Sequence, residues 1–252
     1  MPISMFECSF SYRRRRPVLR DLSYTLPPGR TVLLGPNGAG KSTLLGLCAS
    51  ALRPDSGSVT YGGLSTGRRR ALPAFRRRVA WMPQQVEQVP GLTARDQVAY
   101  SGWLKGMSRR EAWREALRAL RRVELADRAD DKVQELSGGQ QRRVAVAQAL
   151  VHDAEVLLLD EPTAGMDPRQ RQVFHQILAD LSKEVHIVLS THDTSDIANS
   201  YESVVVLLDG QVRFSGTVMD FLSHASATAA SDEQRATSAY QAFTEIDGAI
   251  SW

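Results

Sequence analysis

The chain has 252 residues, of which 42% are hydrophobic and 23% charged, and it carries a net charge of +3. This ordinary globular composition suits one large core, or a core with a small subdomain. A membrane span needs about 18 consecutive apolar residues, and the longest runs, around residues 156–159 and 204–208, suit buried strands instead. The N-terminal MPISMFECSF has no charged segment followed by an apolar one, so we expect no secretory signal.

The first third of the chain has a strand-rich pattern. The segments MFECSFSY and LRDLSYTL alternate apolar and polar residues, with RRRRP as the turn between them, and RTVLLG is an apolar strand ending at Gly35. A glycine-rich loop and an apolar helix, STLLGLCASAL, come next. GSVTYGG and RRRVAWMPQ, the latter ending at Pro83, are predicted as further strands.

The pattern becomes helical and charged over residues 93–123. Thr93 is predicted to cap the first helix, and Ser108 forms a capping box with Glu111 at the second. We interpret residues 93–143 as a helical subdomain inserted into an α/β core.

The second half alternates strands and helices. The helix RRVAVAQALVHD precedes the strand AEVLLLDEP, and a helix over residues 168–182 precedes the strand HIVLST. A helix over 194–201 and the strands SVVVLLDG and QVRFSG follow, which predicts a mostly parallel sheet covered on both faces. Residues 223–252, rich in Ala, Ser and Thr, are expected to form an appendage with one helix at 233–246.

The basic residues are 27 Arg and only four Lys, one of which is Lys41. Arginine clusters at 13–16, 68–70 and 76–78 raise the alternative of a nucleic acid or an anionic lipid as partner. They are scattered, lack interleaved aromatic residues and are offset by acidic residues elsewhere. We therefore predict solvated turns and strand ends, and expect no nucleic acid partner.

The two cysteines, Cys8 and Cys48, lie far apart in the sequence and have no metal-binding spacing. We predict that both are small buried hydrophobic residues in a reduced, cytosolic protein.

The segment GPNGAGKST has the pattern G-x-x-x-x-G-K-[ST] between a strand and a helix. Its glycines allow the backbone N–H groups to surround phosphate oxygens, Lys41 supplies a compact positive charge, and Ser42 has a hydroxyl for Mg²⁺. The predicted phosphate-binding residues are Gly35, Pro36, Asn37, Gly38, Ala39, Gly40, Lys41, Ser42 and Thr43.

Polar residues at other strand ends complete a candidate catalytic site. Asp160 ends an apolar strand and is predicted to hold Mg²⁺, while the neighbouring Glu161 can orient or deprotonate an attacking water. Gln84 follows a strand, within reach of the metal or the water, and His192 follows another, near the γ-phosphate. The other histidines, which we predict to be structural, are His152, His175, His186 and His224.

A second anion site is predicted at QELSGGQQRR. The turn Ser137, Gly138, Gly139, Gln140 stands at a helix N-terminus, whose unpaired N–H groups and dipole favour an anion. The sequence therefore contains two anion sites about a hundred residues apart.

The order and spacing of Tyr12, GPNGAGKST, Gln84, LSGGQ, LLLDEP, AGMDP and STHD resemble the nucleotide-binding subunit of an ATP-binding cassette (ABC) transporter, over about residues 3–222. The resemblance implies an α/β fold with a P-loop NTPase core, an N-terminal antiparallel β subdomain and an inserted helical signature subdomain. It implies ATP and Mg²⁺ as cofactors. The roles implied are Tyr12 stacking on adenine, residues 35–43 as the Walker A loop, Asp160 as the Walker B aspartate, Glu161 as the catalytic carboxylate, His192 as the switch histidine and Asp167 as the D-loop residue.

The resemblance also implies a head-to-tail dimer with a second copy or a homologous subunit. The turn at Ser137, Gly138 and Gly139 of one subunit covers the γ-phosphate held by the other, and hydrolysis opens the dimer. The second anion site thus serves the partner's nucleotide.

A separate transmembrane permease is the implied partner, docked on residues 93–123 and the segment after Gln84, with the chain peripheral on the cytoplasmic face of the cell membrane. The segments LKGMSRREA, LADRADDKVQELSGG, QALVHD and PTAGMDPRQRQVF resemble ATPases of ABC-2-type permeases, which favours export. An importer, a soluble single-cassette assembly ATPase, and a nucleotide-binding regulator without turnover remain alternatives. Intact Glu161 and His192 argue against the regulator.

Overall fold

A computed structural model describes residues 1–12, 17–198, 201–226 and 229–244. Strands within these residues are β1 (Ser4–Phe10), β2 (Leu19–Thr25), β3 (Arg30–Leu34), β4 (Ser56–Tyr61), β5 (Leu64–Ser65), β6 (Val79–Met82), β7 (Val156–Asp160), β8 (His186–Thr191), β9 (Ser203–Leu208) and β10 (Gln211–Thr217). The α-helices are α1 (Lys41–Cys48), α2 (Leu72–Arg78), α3 (Ala94–Leu104), α4 (Arg109–Arg122), α5 (Gly138–Leu150), α6 (Pro168–Leu181), α7 (Val218–Leu222) and α8 (Asp232–Thr244).

The strands form two sheets. One is antiparallel, with strand order β2-β1-β4-β5, and comes from the N-terminal part of the chain. The other has the order β10-β9-β3-β8-β7-β6 and is parallel except for the edge strand β10. The predicted α/β fold, with a mostly parallel sheet and an N-terminal antiparallel subdomain, is confirmed.

The parallel sheet is buried on both faces. In β3, Val32 and Leu34 join one apolar cluster while Leu33, between them, joins the other. This alternation follows from the opposite orientation of successive strand side chains. Helix α1 lies with the antiparallel sheet on one face, and α5 and α6 lie on the other.

The inserted helices begin where the sequence predicts. Thr93 and Asp96 form a capping box at α3, and Ser108 and Glu111 form one at α4. Helix α4 buries alanines along one face and exposes arginines on the other, which is the pattern of an amphipathic helix packed on a core.

The predicted strand RRRVAWMPQ is partly wrong. Its three arginines form the last turn of α2, and only Val79–Met82 is extended. Pro73 lies in the first turn of α2, where its missing N–H costs no hydrogen bond, and Phe75 is buried beneath the helix. These arginines are exposed, as are those at 68–70, whereas residues 13–16 lie outside the described part of the chain.

Of the two helices predicted near the C-terminus, the one at 233–246 is confirmed as an α-helix and the one at 194–201 is not. Residues 194–198 form a 3-10 helix rather than part of an α-helix. Helix α8 covers Asp232–Thr244, and the predicted end at residue 246 lies outside the described residues. Ala236 and Ala239 of α8 are buried against the core. Within the described part of the chain, no helix has the length and hydrophobicity to cross a membrane.

Candidate active site

The loop between β3 and α1 requires glycine at several positions. Gly38 and Gly40 have φ of +87° and +101°, which side chains other than glycine rarely adopt, and a Cβ on Gly35 would lie 2.4 Å from the carbonyl oxygen of Leu207. Gly40 is the N-cap of α1 and provides no side-chain cap. The first N–H groups of α1 therefore suit an anion better than a neutral ligand.

A cavity of about 470 Å³ opens above this loop, a size within the range of small-molecule sites. Its lining residues are Tyr12, Val18, Pro36, Asn37, Gly38, Gly40, Lys41, Ser42, Thr43, Gln84 and Glu161. The structure thus brings together the predicted phosphate loop, Gln84 and Glu161, which are far apart in the sequence.

Lys41 is 5% exposed and has three partners. Its Nζ donates to the carbonyl oxygens of Gly35, at 2.7 Å, and Pro36, at 3.3 Å. The same Nζ lies 3.2 Å from Oε1 of Glu161. The two carbonyls take up two of the three ammonium protons, and a phosphate that binds in the loop must compete with Glu161 for the positive charge of Lys41.

Glu161 joins Lys41 to His192. Its Oε2 lies 2.9 Å from Nδ1 of His192, and its backbone has φ of +47°, a left-handed conformation uncommon outside glycine. The Glu161 backbone N donates to both the carbonyl oxygen and Oγ of Ser190, each at 3.1 Å. The strand order explains why these three side chains lie together. Lys41 follows β3, His192 follows β8 and Glu161 follows β7, and these three strands are neighbours in the sheet.

Asp160 ends β7, is buried, and does not line the cavity. Its Oδ1 accepts a hydrogen bond from Oγ of Ser190 at 2.6 Å. Ser190 therefore contacts both acidic residues, a role that the sequence analysis missed. The only sequence signal is a hydroxyl residue within the apolar strand HIVLST.

The oxygen donors of this region suit Mg²⁺. They are the hydroxyl of Ser42, the side-chain carbonyl of Gln84 and the carboxylate of Asp160, all of the hard type that Mg²⁺ prefers. Ser42 and Gln84 line the cavity itself. A metal bound mainly by phosphates and water needs only one or two such protein ligands.

Tyr12 stands at the edge of the cavity with 63% of its surface exposed. Its hydroxyl lies 3.2 Å from Oγ1 of Thr43, and its ring packs edge-on against Phe10 with centroids 5.0 Å apart. These contacts fix the ring while leaving apolar surface open to a planar ligand.

The turn at residues 137–140 lies elsewhere. Ser137 caps α5 in a capping box with Gln140, and Gly138 and Gly139 line a second cavity of about 400 Å³. Asp167 caps the neighbouring α6 by accepting from the backbone N of Gln170 at 2.8 Å. The Ser137–Gln140 turn contributes nothing to the lining of the phosphate-loop cavity, whereas Gln84 lines both cavities.

His186 and the two cysteines have structural surroundings. Nδ1 of His186 accepts from the backbone N of Gly29 at 3.0 Å. Cys8 and Cys48 are buried free thiols, as predicted, and burial raises the pKa of both.

A phosphate loop at the end of a central parallel strand defines a P-loop nucleotide-binding protein. Comparison with known families matches residues 19–164 to the ABC transporter family. The chain belongs to this family, as an ATP-binding subunit, which confirms the resemblance seen in the sequence.

Two relatives illustrate the similarity. The linearmycin resistance ATP-binding protein LnrL of Bacillus subtilis is 31% identical over 211 residues, which cover 83% of this chain and 67% of that protein. The Fe(3+) ions import ATP-binding protein FbpC of Rhizobium etli is 38% identical over 200 residues, covering 78% of this chain. The match spans only 56% of the length of FbpC.

Solved structures of ABC transporter cassettes are also similar to this chain. A bacterial ABC transporter cassette solved as a dimer has a TM-score of 0.75 and 29% identity, covering 86% of this chain and 98% of that cassette. The same cassette in a post-hydrolysis state, bound to ADP and phosphate, has a TM-score of 0.74 and 28% identity with the same coverage.

Proposed function

We propose that this chain binds and hydrolyses ATP and thereby drives transport through a separate membrane permease. The observation that carries the proposal is the contact series from Lys41 through Glu161 to His192 at the phosphate-loop cavity. A lysine for the phosphates and a carboxylate for the water are groups that serve phosphoryl transfer to water, and the histidine contacts that carboxylate.

Each group has a distinct part in this proposal. Lys41 and the loop N–H groups bind the phosphates, Tyr12 stacks on the base, and Glu161 orients the water and accepts its proton. His192 holds the Glu161 carboxylate through its 2.9 Å contact and faces the γ-phosphate. Ser42, Gln84 and Asp160 would hold Mg²⁺, whose charge would offset that of the phosphates.

We propose that the complete site needs a second subunit. Ser137 and the following glycines form an anion-binding helix N-terminus outside their own chain's phosphate-loop cavity. In a head-to-tail dimer this turn, with Asp167 beside it, meets the γ-phosphate of the partner. The similarity to a cassette solved as a dimer supports this arrangement.

Residues 1–222 form the ATP-binding domain in this proposal, with residues 93–143 as its helical subdomain and 223–252 as an appendage. The permease holds the chain at the cytoplasmic face of the membrane. We propose export, supported by the likeness to a resistance protein, although the iron import relative supports the opposite direction. Transport assays with the permease in sealed vesicles decide the direction, and a chain that never pellets with membranes would instead support a soluble assembly ATPase.

Mixing two inactive variants tests the composite site. Lys41→Ala damages the phosphate loop, and Ser137→Arg damages the turn at residues 137–140, called the signature turn below. Each variant alone is therefore expected to lose ATP hydrolysis. Random subunit exchange between equal amounts makes half of the dimers mixed, each with one intact site, and about one quarter of wild-type activity returns.

The matched control is Ser108→Arg, which disrupts an equivalent capping box on α4. It should retain activity, because Ser108 does not face a partner's nucleotide. Differently tagged subunits confirm that mixed dimers form, with the permease present if the isolated subunit is inactive. Mixed dimers that regain no activity would show that the signature turn does not complete the partner's site.

A further inference from the structure

Asp196 connects the segment after His192 to the segment after Glu161. Its side chain is 0% exposed. Oδ2 of Asp196 accepts from Oγ1 of Thr163 at 3.2 Å, and Oδ1 lies 2.8 Å from Nε2 of His175. Thr163 comes two residues after Glu161, and Asp196 comes four residues after His192. The buried carboxylate of Asp196 therefore joins the segment that follows His192 to the segment that follows Glu161.

Helix α6 fixes the segment after His192 at two points. Arg171 and His175 are one turn apart on α6 and therefore point to the same side. Nη1 of Arg171 lies 2.6 Å from Oδ2 of Asp193, and His175 contacts Asp196. Asp193 immediately precedes the 3-10 helix Thr194–Ala198 and lies three residues, one 3-10 turn, before Asp196, so both face α6.

The loop at Glu161 needs such support. A non-glycine residue with φ of +47° is strained, and the strain persists only where the surroundings determine the conformation. Ser190 holds the backbone N of Glu161 from β8. On the other side of Glu161, Thr163 is held by Asp196.

We propose that Asp196 is a positioning residue for ATP hydrolysis, acting through Thr163 on the Glu161 carboxylate and through its own short helix on His192. This inference rests on the proposed function, because it takes Glu161 and His192 as the groups that act on water. Asp196 itself does not line the phosphate-loop cavity. Its loss should therefore slow turnover without weakening ATP binding.

The test uses Thr163→Val, Asp196→Ala and the double variant. The valine replaces the hydroxyl with a methyl group, and the alanine removes both carboxylate oxygens, so each change breaks the contact between Thr163 and Asp196. We expect kcat to fall about tenfold or more in each single variant while KM for ATP stays within about twofold. Since both changes break the same contact, the double variant should lose little beyond the larger single loss.

Hydrogen exchange in the nucleotide-free protein provides a readout independent of activity. Amides of residues 160–166 should exchange faster in both single variants, because the loop loses its contact with Asp196. The matched control is Tyr61→Phe, which removes the 2.8 Å hydrogen bond between the buried Tyr61 hydroxyl and Glu155, outside this region. It should change neither kcat nor exchange at 160–166.

The outcomes separate this inference from the proposed function. If the wild-type protein hydrolyses ATP but Thr163→Val keeps full kcat, or exchange at residues 160–166 matches that of Tyr61→Phe, Asp196 is not a positioning residue. Thr163→Val tests the inference even if Asp196→Ala does not fold. A wild-type protein that does not hydrolyse ATP with its permease present overturns both.

Discussion

Lys41 illustrates how a single position is determined by chemistry. The chain uses Arg for nearly all of its basic residues, yet the phosphate loop has Lys. A compact ammonium can donate to two loop carbonyls and also lie beside the Glu161 carboxylate, whereas a planar guanidinium fixes its donors in one fork. The motif predicts Lys41, but the contact with Glu161 depends on the neighbouring strands.

His152 is a second residue whose surroundings matter. It is 7% exposed, and neither ring nitrogen has a hydrogen-bond partner among the described residues. Burial, with repulsion from Lys105 and Arg77, lowers the pKa of His152 to about 4. The sequence analysis predicted a structural histidine, and the structure adds that this one is held neutral.

The pH dependence of stability should therefore include a His152 contribution. The unfolded chain binds a proton at this residue below about pH 6.5 while the folded protein does not, so stability is full above that pH and falls as the pH approaches 4. The loss is about 3 kcal/mol at most. Urea unfolding of wild type and His152→Leu at about pH 8 and pH 5 measures it.

His152→Leu should lose less stability on acidification than wild type. At about pH 8 the two proteins should differ by only about 1 kcal/mol, since the leucine replaces a side chain without partners. Equal losses between the two pH values would show that the buried imidazole is not the group responsible.

At the scale of secondary structure, capping boxes mark where helices begin. Thr93, Ser108, Ser137 and Thr217 each cap a helix with an acidic residue or glutamine three positions later. Such signals are local and can be read from the sequence. Helix α2 was missed because its arginine-rich sequence has little apolar periodicity, and its burial depends on Phe75.

Two of these caps form a matched pair. Ser108→Ala and Ser137→Ala should each cost about 1 kcal/mol of unfolding free energy, since each removes one capping side chain. Only Ser137→Ala should also lower the ATP hydrolysis rate, because its hydroxyl is proposed to face the partner's nucleotide. Thermal unfolding and steady-state ATPase assays on both variants test this, and equal activities would restrict Ser137 to capping.

At the scale of the whole molecule, the feature on which the dimer proposal depends is the separation of the two anion sites. The phosphate loop and the signature turn line different cavities of one chain. A closed site in the proposed dimer therefore requires a symmetric partner, and ATP becomes part of the interface. Removing the γ-phosphate then releases the partner.

Glu161→Gln should trap that dimer. The amide removes the counter-charge from Lys41, which frees the ammonium for phosphate, and it removes the base that accepts the water proton. We expect ATP binding to be retained, hydrolysis to stop and a dimer to appear with ATP but not ADP in size-exclusion chromatography with light scattering. Glu155→Gln, at a half-exposed ion pair with Arg78, is the control. A Glu161→Gln protein that stays monomeric with ATP would contradict the dimer model.

The sequence by itself determined the features whose physics is local. Positive φ at Gly38 and Gly40, the caps at Thr93 and Ser108, and the apolar runs within strands β3 and β7 all follow from neighbouring residues. These features were enough to predict the phosphate loop, the fold class and the candidate strand-end residues.

Only the tertiary structure decided which distant residues meet. Ser190 contacts Asp160 and Glu161, and Asp196 contacts Thr163, because β8 lies between β3 and β7 and because α6 packs beside the loop after β8. No periodic pattern encodes such polar contacts. They arise where neighbouring strands end together, and buried polar groups there must find hydrogen-bond partners on whichever loop the strand order brings beside them.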